Sequence, residues 1–214
     1  MVQYLKSAGI IRSDRVERAF LKVPREEFVP KELAREAYLD CPLPLMGTGQ
    51  TISAPHMVAY MAEALELAGC LRVLEIGAGS GYAAVIVAEI LNPTGEEVKC
   101  PKVYTIEIDP VLVKFARDNL ERTGYLDRVE VVEGDGTLGL PKFAPFDRIM
   151  VSAAAPYIPP TLLEQLAEGG RMLTPIGRNI WGQTLYLVTK EKGKVKKEPI
   201  MDVAFVSLRG RHGF

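Results

Sequence analysis

A chain of 214 residues, 48% apolar and 25% charged, with 19 Gly and 15 Pro, has the make-up of an ordinary folded globular protein. That excludes a disordered chain or a fibrous repeat, and the length suits one core with an appended segment. The 26 basic and 27 acidic residues leave a formal charge of −1, so no overall pull toward nucleic acid or an anionic membrane is expected.

Residues 1–40 read as a helical segment. Ser13 is placed to cap a helix in which Val16, Ala19, Phe20 and Val23 recur at helical spacing, and Pro24 ends it. Residues 25–30 form a punctuated link, and residues 31–38 predict a second short helix. Residues 41–50 carry so many Pro and Gly that an irregular loop is expected, and loops on a rigid scaffold are where binding groups concentrate. Helical periodicity returns over residues 56–67 through Met57, Tyr60, Met61, Ala64 and Leu65.

From residue 71 the pattern becomes strand, turn, helix, repeated. Strands are expected at 71–76, 103–108, 129–133, 146–152 and 171–175. Helices fall between them at 80–91, 110–123 and 159–167, the last closed by Gly169 and Gly170. This alternation predicts an α/β fold with a doubly wound, Rossmann-like parallel sheet. Residues 182–191 and 195–206 then predict an antiparallel hairpin around Lys192-Gly193-Lys194, with a solvated, charged tip. The expected layout is a single unit: a helical segment and substrate loop (1–68), an α/β core (69–180), and a hairpin with its tail (181–214). Trp181 and the methionines are expected to pack.

No apolar run approaches the ~20 residues of a spanning helix, and the first residues lack the features of a secretory signal. Cys41, Cys70 and Cys100 are odd in number and never in a C-x-x-C spacing. Neither a disulfide framework nor a metal site is expected, and a reducing cytoplasm is the default. Four Gln and three Asn hint at a heat-adapted source.

The most informative stretch is Val73-Leu74-Glu75-Ile76-Gly77-Ala78-Gly79-Ser80-Gly81-Tyr82. An apolar strand ends in an acid and enters glycines that permit a tight turn and close approach of a ligand. Tyr82 stands where a dinucleotide fingerprint wants its third Gly, and no phosphate-cradling G-x-x-x-x-G-K-[ST] occurs. Glu75, two residues before the first Gly, suits a cationic amino group and would repel a pyrophosphate. Glu107 ends the second strand, where a carboxylate accepts from both ribose hydroxyls. Asp135, after the third, is placed to accept from an adenine amino group. The loop E-x-G-x-G-x-G resembles the cofactor loop of S-adenosylmethionine-dependent methyltransferases.

The segment Gly49-Gln50-Thr51-Ile52-Ser53-Ala54-Pro55-His56-Met57-Val58-Ala59 is more specific. With Val23-Pro24-Arg25-Glu26-Glu27-Phe28-Val29-Pro30, Pro42-Leu43-Pro44, Val132-Glu133-Gly134-Asp135-Gly136, Phe146-Asp147-Arg148-Ile149 and Ser152-Ala153-Ala154-Ala155-Pro156, it resembles the protein-L-isoaspartate O-methyltransferase family. The resemblance implies methylation of the free carboxylate of L-isoaspartyl residues in damaged proteins and peptides by S-adenosylmethionine, leaving S-adenosylhomocysteine. It implies Ser53 as the active residue. Cofactor contacts would come from Gln50, Thr51, Ile52, Ser53, Glu75, Gly77, Gly79, Ser80, Glu107, Ile108, Asp135 and Gly136. Substrate contacts would come from Ser53, Ala54, His56 and the Phe205-Val206 backbone, with no metal. The family also suggests a monomer. Ser207 stands where family members commonly have Pro, so contacts of the following tail need not carry over.

The chemistry agrees with the residue inventory. An acceptor carboxylate is already ionised at neutral pH and needs no general base, and the only histidines are His56 and His212. Ser53 suits a neutral donor that orients the carboxylate, or a helix cap before Pro55. His56 is expected to have a supporting role at most. Rival readings are an RNA methyltransferase, a nicotinamide-dependent oxidoreductase and a non-catalytic binding domain. The first is disfavoured by the neutral charge and the absence of an amide or carboxylate in Ser152–Pro156, the second by the glycine spacing, and the third by intact Ser53 and Asp135.

Overall fold

The computed structural model describes residues 1–93, 100–177 and 182–214; the expectation for Trp181 and the boundary at 180/181 lie outside them. Helix α1 (Val2–Ser7) leads into α2 (Asp14–Lys22), whose Ser13 hydroxyl accepts the Val16 N–H. Asp14 and Glu17 in its first turn complement the helix dipole, while Val16, Ala19 and Phe20 are buried. Residues 31–38 do not form the expected helix. A 3-10 turn at Lys31–Leu33 is followed by further i→i+3 bonds, and the Ala37 carbonyl is taken by Arg25.

The loop expected at 41–50 contains a hairpin of β1 (Leu43–Leu45) and β2 (Gln50–Ile52). Met46 and Gly47 both adopt positive φ, of 50° and 68°, which gives the turn a twist that matches paired strands. Pro44 is tolerated because this sheet has only two strands and hence free edges. Helix α3 (Pro55–Ala64) follows, with Pro at its first position.

Strands β3 (Val73–Ile76), β4 (Val103–Glu107), β5 (Val129–Glu133), β6 (Phe146–Val151), β7 (Leu166–Ile176), β8 (Gln183–Glu191) and β9 (Lys194–Val203) form one sheet. Their order is β5-β4-β3-β6-β7-β8-β9. The first five are parallel and the last two antiparallel. Helices α4 (Tyr82–Leu91), α5 (Pro110–Thr123) and α6 (Pro160–Gln165) connect them. Successive residues of a strand serve opposite faces: Val73, Met150 and Leu173 join one apolar cluster, and Leu74, Ile149 and Met172 the other. The sheet is therefore covered on both sides, as parallel sheets require.

Two further expectations are corrected. Gly169 and Gly170 do not close a helix. Helix α6 stops at Gln165, and the glycines lie in an irregularity of β7, where Phe146↔Leu166 gives way to Arg148↔Arg171 and Gly169 has φ +74°. Cys70 and Cys100 form a disulfide with Cα atoms 4.8 Å apart, one strand spacing. The β3/β4 register pairs Leu74 with Tyr104, an offset equal to the 30 residues between the cysteines. The two cysteines thus face each other just before the strands begin, and counting cysteines could not reveal that.

The last hairpin turns at Lys192 and Gly193, both with positive φ. Its outer strand, β9, is a sheet edge with exposed Lys194, Lys196 and Lys197. Pairing ends at Val203, earlier than expected, and the Gln183 side chain takes over: its amide donates to the Phe205 carbonyl and its oxygen accepts the Phe205 N–H.

Candidate active site

The chain leaves β3 toward one edge of the sheet and later returns to β6, on the other side of β3. That reversal opens a crevice above the carboxyl ends of the strands, where doubly wound sheets bind ligands. Its floor is the glycine turn. Gly77 and Ala78 donate to the Ile106 carbonyl, and Asn119 Nδ2 holds the Ser80 carbonyl at 3.0 Å. At Gly81, φ is +84°, a conformation that favours glycine, and an added Cβ would also press on Leu120 Cδ1 of α5 at 2.6 Å.

The β1–β2 hairpin lies across this floor: a Cβ on Gly79 would sit 3.4 Å from Leu45 Cδ1. Three hollows meet beneath it. A cavity of about 680 Å³ is lined by Ser53, Ala54, His56 and Val206, with Gln183 and Asp202 among its other walls. A recess of about 50 Å³ is lined by Gln50, Gly77, Gly79, Glu107, Ile108 and Gly136. Another of about 40 Å³ is lined by Ile52, Ser53, Glu75, Gly77, Gly79 and Ser80. Thr51 and Ser152 border all three.

Glu75 is buried on β3. Its Oε2 accepts from Thr105 Oγ1 at 2.7 Å, and its Oε1 from Ser152 Oγ at 3.3 Å. Burial pushes its carboxyl up to about 8, against those two hydroxyl bonds, with Glu107 adding to the rise. Glu107 is held differently: Oε2 accepts the Gly79 N–H at 3.0 Å, and Oε1 the N–H groups of Ile108 and Asp109. Oε1 is thereby filled, and Oε2 keeps acceptor capacity for a hydroxyl in the recess.

Asp135 is engaged elsewhere. Its Oδ1 accepts from the Thr137 N–H and hydroxyl, and its Oδ2 from the Arg211 N–H at 2.7 Å. Burial opposes ionisation, but these bonds prevail and hold the carboxyl below its usual value. Gly210 packs directly against Asp135, and Arg209 pairs with Asp109 at 3.1 Å. The tail therefore covers this end of the cleft, and Gly136 rather than Asp135 lines the recess beneath it.

Ser53 is not the helix cap. That position belongs to Ala54, with no side-chain cap bond, which leaves the serine at the seam between the large cavity and the Glu75 recess. His56 is oriented by Asp40, whose Oδ1 accepts from both its N–H and its Nδ1, each at 2.9 Å. Ser152, which the sequence does not mark as a site residue, belongs here too: it directly follows β6, and its N–H donates to the Ile76 carbonyl at the end of β3.

The residues present fit a ligand carrying an amino group and a ribose. Carboxyl groups, rather than a phosphate-binding lysine, stand at the glycine turn, and the backbone N–H of Gly79 is already committed to Glu107.

Comparison with known proteins gives a consistent result. A family model described as Protein-L-isoaspartate(D-aspartate) O-methyltransferase (PCMT) matches residues 1–213. The chain is 52% identical over 216 residues to the protein-L-isoaspartate O-methyltransferase of Hyperthermus butylicus, covering 100% of this chain and 89% of the relative. It is 51% identical to that of Thermococcus onnurineus, covering 100% and 93%. The fold is similar to a crystal structure from Plasmodium falciparum described as a protein-L-isoaspartate O-methyltransferase in complex with S-adenosyl-L-homocysteine. There the TM-score is 0.86 at 32% identity, with 97% of this chain and 96% of that one covered.

Proposed function

Starting from a chain that belongs to the protein-L-isoaspartate(D-aspartate) O-methyltransferase family, we propose that Ser53 orients the acceptor carboxylate where the substrate cavity meets the cofactor recess. The activity is S-adenosylmethionine-dependent methylation of isoaspartyl residues in proteins, a repair reaction. When bound, S-adenosylmethionine supplies a methyl group on a positively charged sulfur, and the product is a methyl ester.

The observation that carries the reading is that Ser53 lines both hollows while taking no part in capping α3. An isoaspartyl carboxylate is ionised near neutral pH, so the protein's task is placement and exclusion of water rather than proton removal. A serine hydroxyl holds such an oxygen without neutralising it. Glu75 and Ser80 take the amino-acid end of the cofactor, with Thr51 and Ile52 above it. Glu107 and Ile108 take the ribose, and Gly136 the adenine under the tail, while Asp135 holds the Thr137 and Arg211 backbone that frames it. Ala54, His56 and Val206 border the acceptor peptide, with His56 kept in place by Asp40.

In this reading residues 1–214 act as one catalytic unit, a monomer in the cytoplasm that engages neither nucleic acid nor membrane. A formal charge of −1 supports the absence of nucleic acid. Among the described residues no helix is long and apolar enough to cross a membrane. The Cys70–Cys100 bond removes the cysteine argument for a reducing compartment, unless the chain is one of the disulfide-rich intracellular proteins found in hyperthermophiles.

The test is a pair of peptides differing only in the aspartyl linkage, incubated with purified protein and labelled S-adenosylmethionine. Label is expected in the isoaspartyl peptide and not in its normal twin. Transfer to both alike, or to tRNA alone, would overturn the acceptor assignment.

A further inference from the structure

Arg25 heads the fully buried side chains by size, yet nothing in the reaction as described uses it. Its Nε donates to the Ala37 carbonyl at 2.7 Å and its Nη2 to the Ser53 carbonyl at 2.8 Å. Its guanidinium carbon lies 4.7 Å from the centre of the Tyr82 ring. Nη1 and the Tyr82 hydroxyl are both buried and make no hydrogen bond of normal geometry among the described residues, although Tyr82 lies near enough to favour the charged guanidinium against its burial.

That is an expensive way to fill a core. Burial pulls the guanidinium pKa down, and a buried charge held by neutral carbonyls is generally no more stable than an apolar side chain of similar volume. What the guanidinium provides is geometric. Its planar fork meets three segments at one point: residue 37, the serine at the seam, and the first residue of α4 after the glycine turn. The first N–H groups of α3 bond to the Ala54 carbonyl, so the Ser53 carbonyl lies outside the helix and Arg25 supplies its donor. Asp40 fixes the other end of the same stretch through His56.

We propose that Arg25 is a positioning residue for methyl transfer, clipping the Ser53 peptide to the start of α4 and so setting the distance between the Ser53 hydroxyl and the cofactor turn. This rests on the reading of Ser53 as the group that orients the acceptor. If the clip slackens, the hydroxyl swings with its peptide, and a displacement of about 1 Å is enough to cost about 100-fold in rate.

The test is a double-mutant cycle with Arg25→Met and Ser53→Ala. It reads kcat and KM for an isoaspartyl peptide, the dissociation constant of S-adenosylhomocysteine, and the melting temperature. Arg25→Met is expected to melt within a few degrees of the parent and to bind S-adenosylhomocysteine within about twofold, while kcat falls about 10- to 100-fold. Added to Ser53→Ala, it should lower kcat by less than about twofold more, because the clip acts through a hydroxyl no longer there. Undiminished kcat in Arg25→Met, or the same proportional loss in both backgrounds, overturns the inference. So does a loss that tracks cofactor affinity or melting. Arg25→Lys, which keeps the charge but not the fork, carries the same cycle should the methionine variant not fold; if neither folds, Arg25 belongs to folding and the inference fails. Full activity in Ser53→Ala overturns the Ser53 reading and this one with it, whereas loss there with full activity in Arg25→Met overturns the clip alone.

Discussion

Replacing Glu75 by Gln separates two consequences of burying an acid beside a cation site. The unfolded chain gives up this proton near 4.5 and the native protein only near 8. Between those values the native state holds more protons than the unfolded one, so stability falls as pH rises through the window and is level above it. The accumulated penalty has a ceiling of about 5 kcal/mol. Glutamine is neutral throughout and its carbonyl still accepts from Thr105 or Ser152, so Glu75→Gln should flatten the stability profile and melt higher than the parent at pH ~8. Binding moves the other way. A ligand ammonium needs the ionised acid, so below pH ~8 binding of S-adenosylhomocysteine should release close to one proton, and affinity should rise about tenfold per pH unit. The variant should bind about 10- to 100-fold more weakly at pH ~8, as expected for a lost charged hydrogen bond. Calorimetry in buffers of different ionisation enthalpy counts the proton, and thermal melts across the pH series give the slope. Binding without proton release between pH ~6 and ~8, or a Gln variant with the parent's pH–stability slope, would refute the reasoning.

Other expectations concern different parts of the molecule. Glu107→Ala removes the acceptor for three backbone N–H groups as well as the proposed ribose contact, so the S-adenosylhomocysteine dissociation constant should rise about 10- to 100-fold; an unchanged value contradicts the ribose role. Reduction of the Cys70–Cys100 bond opens a loop of 30 residues, worth about 3–4 kcal/mol in chain entropy and roughly 7–15 °C in melting temperature for a chain this size. Activity at 25 °C should survive, because the bond lies at the amino ends of β3 and β4, away from the glycine turn. Coincident melts with and without reductant, with thiol titration confirming reduction, would contradict it.

Local signals carried most of the architecture. Pro110 with Asp109 before it and Gly124 behind it bounds α5, and the apolar run of β5 ends at Glu133 as expected. The glycine turn and its acids were legible because one short segment holds strand, turn and helix together. What was missed depends on partners far away in sequence. The 43–52 hairpin hides behind Pro44 and needs positive φ at Met46, an uncommon conformation for a residue with a Cβ. The disulfide depends on the register between two strands. The cover over Asp135 comes from residues more than seventy positions later, and Arg25, followed by Glu26 and Glu27, looks like a surface charge until the Ala37 and Ser53 carbonyls close around it.

The lysines along β9 bear on how this molecule keeps other chains at a distance. An open strand flank is a template on which a further extended chain can pair. Ammonium groups at Lys194, Lys196 and Lys197 make that flank costly to approach and dehydrate. The sheet edge that the last hairpin leaves open is thereby guarded against edge-to-edge association.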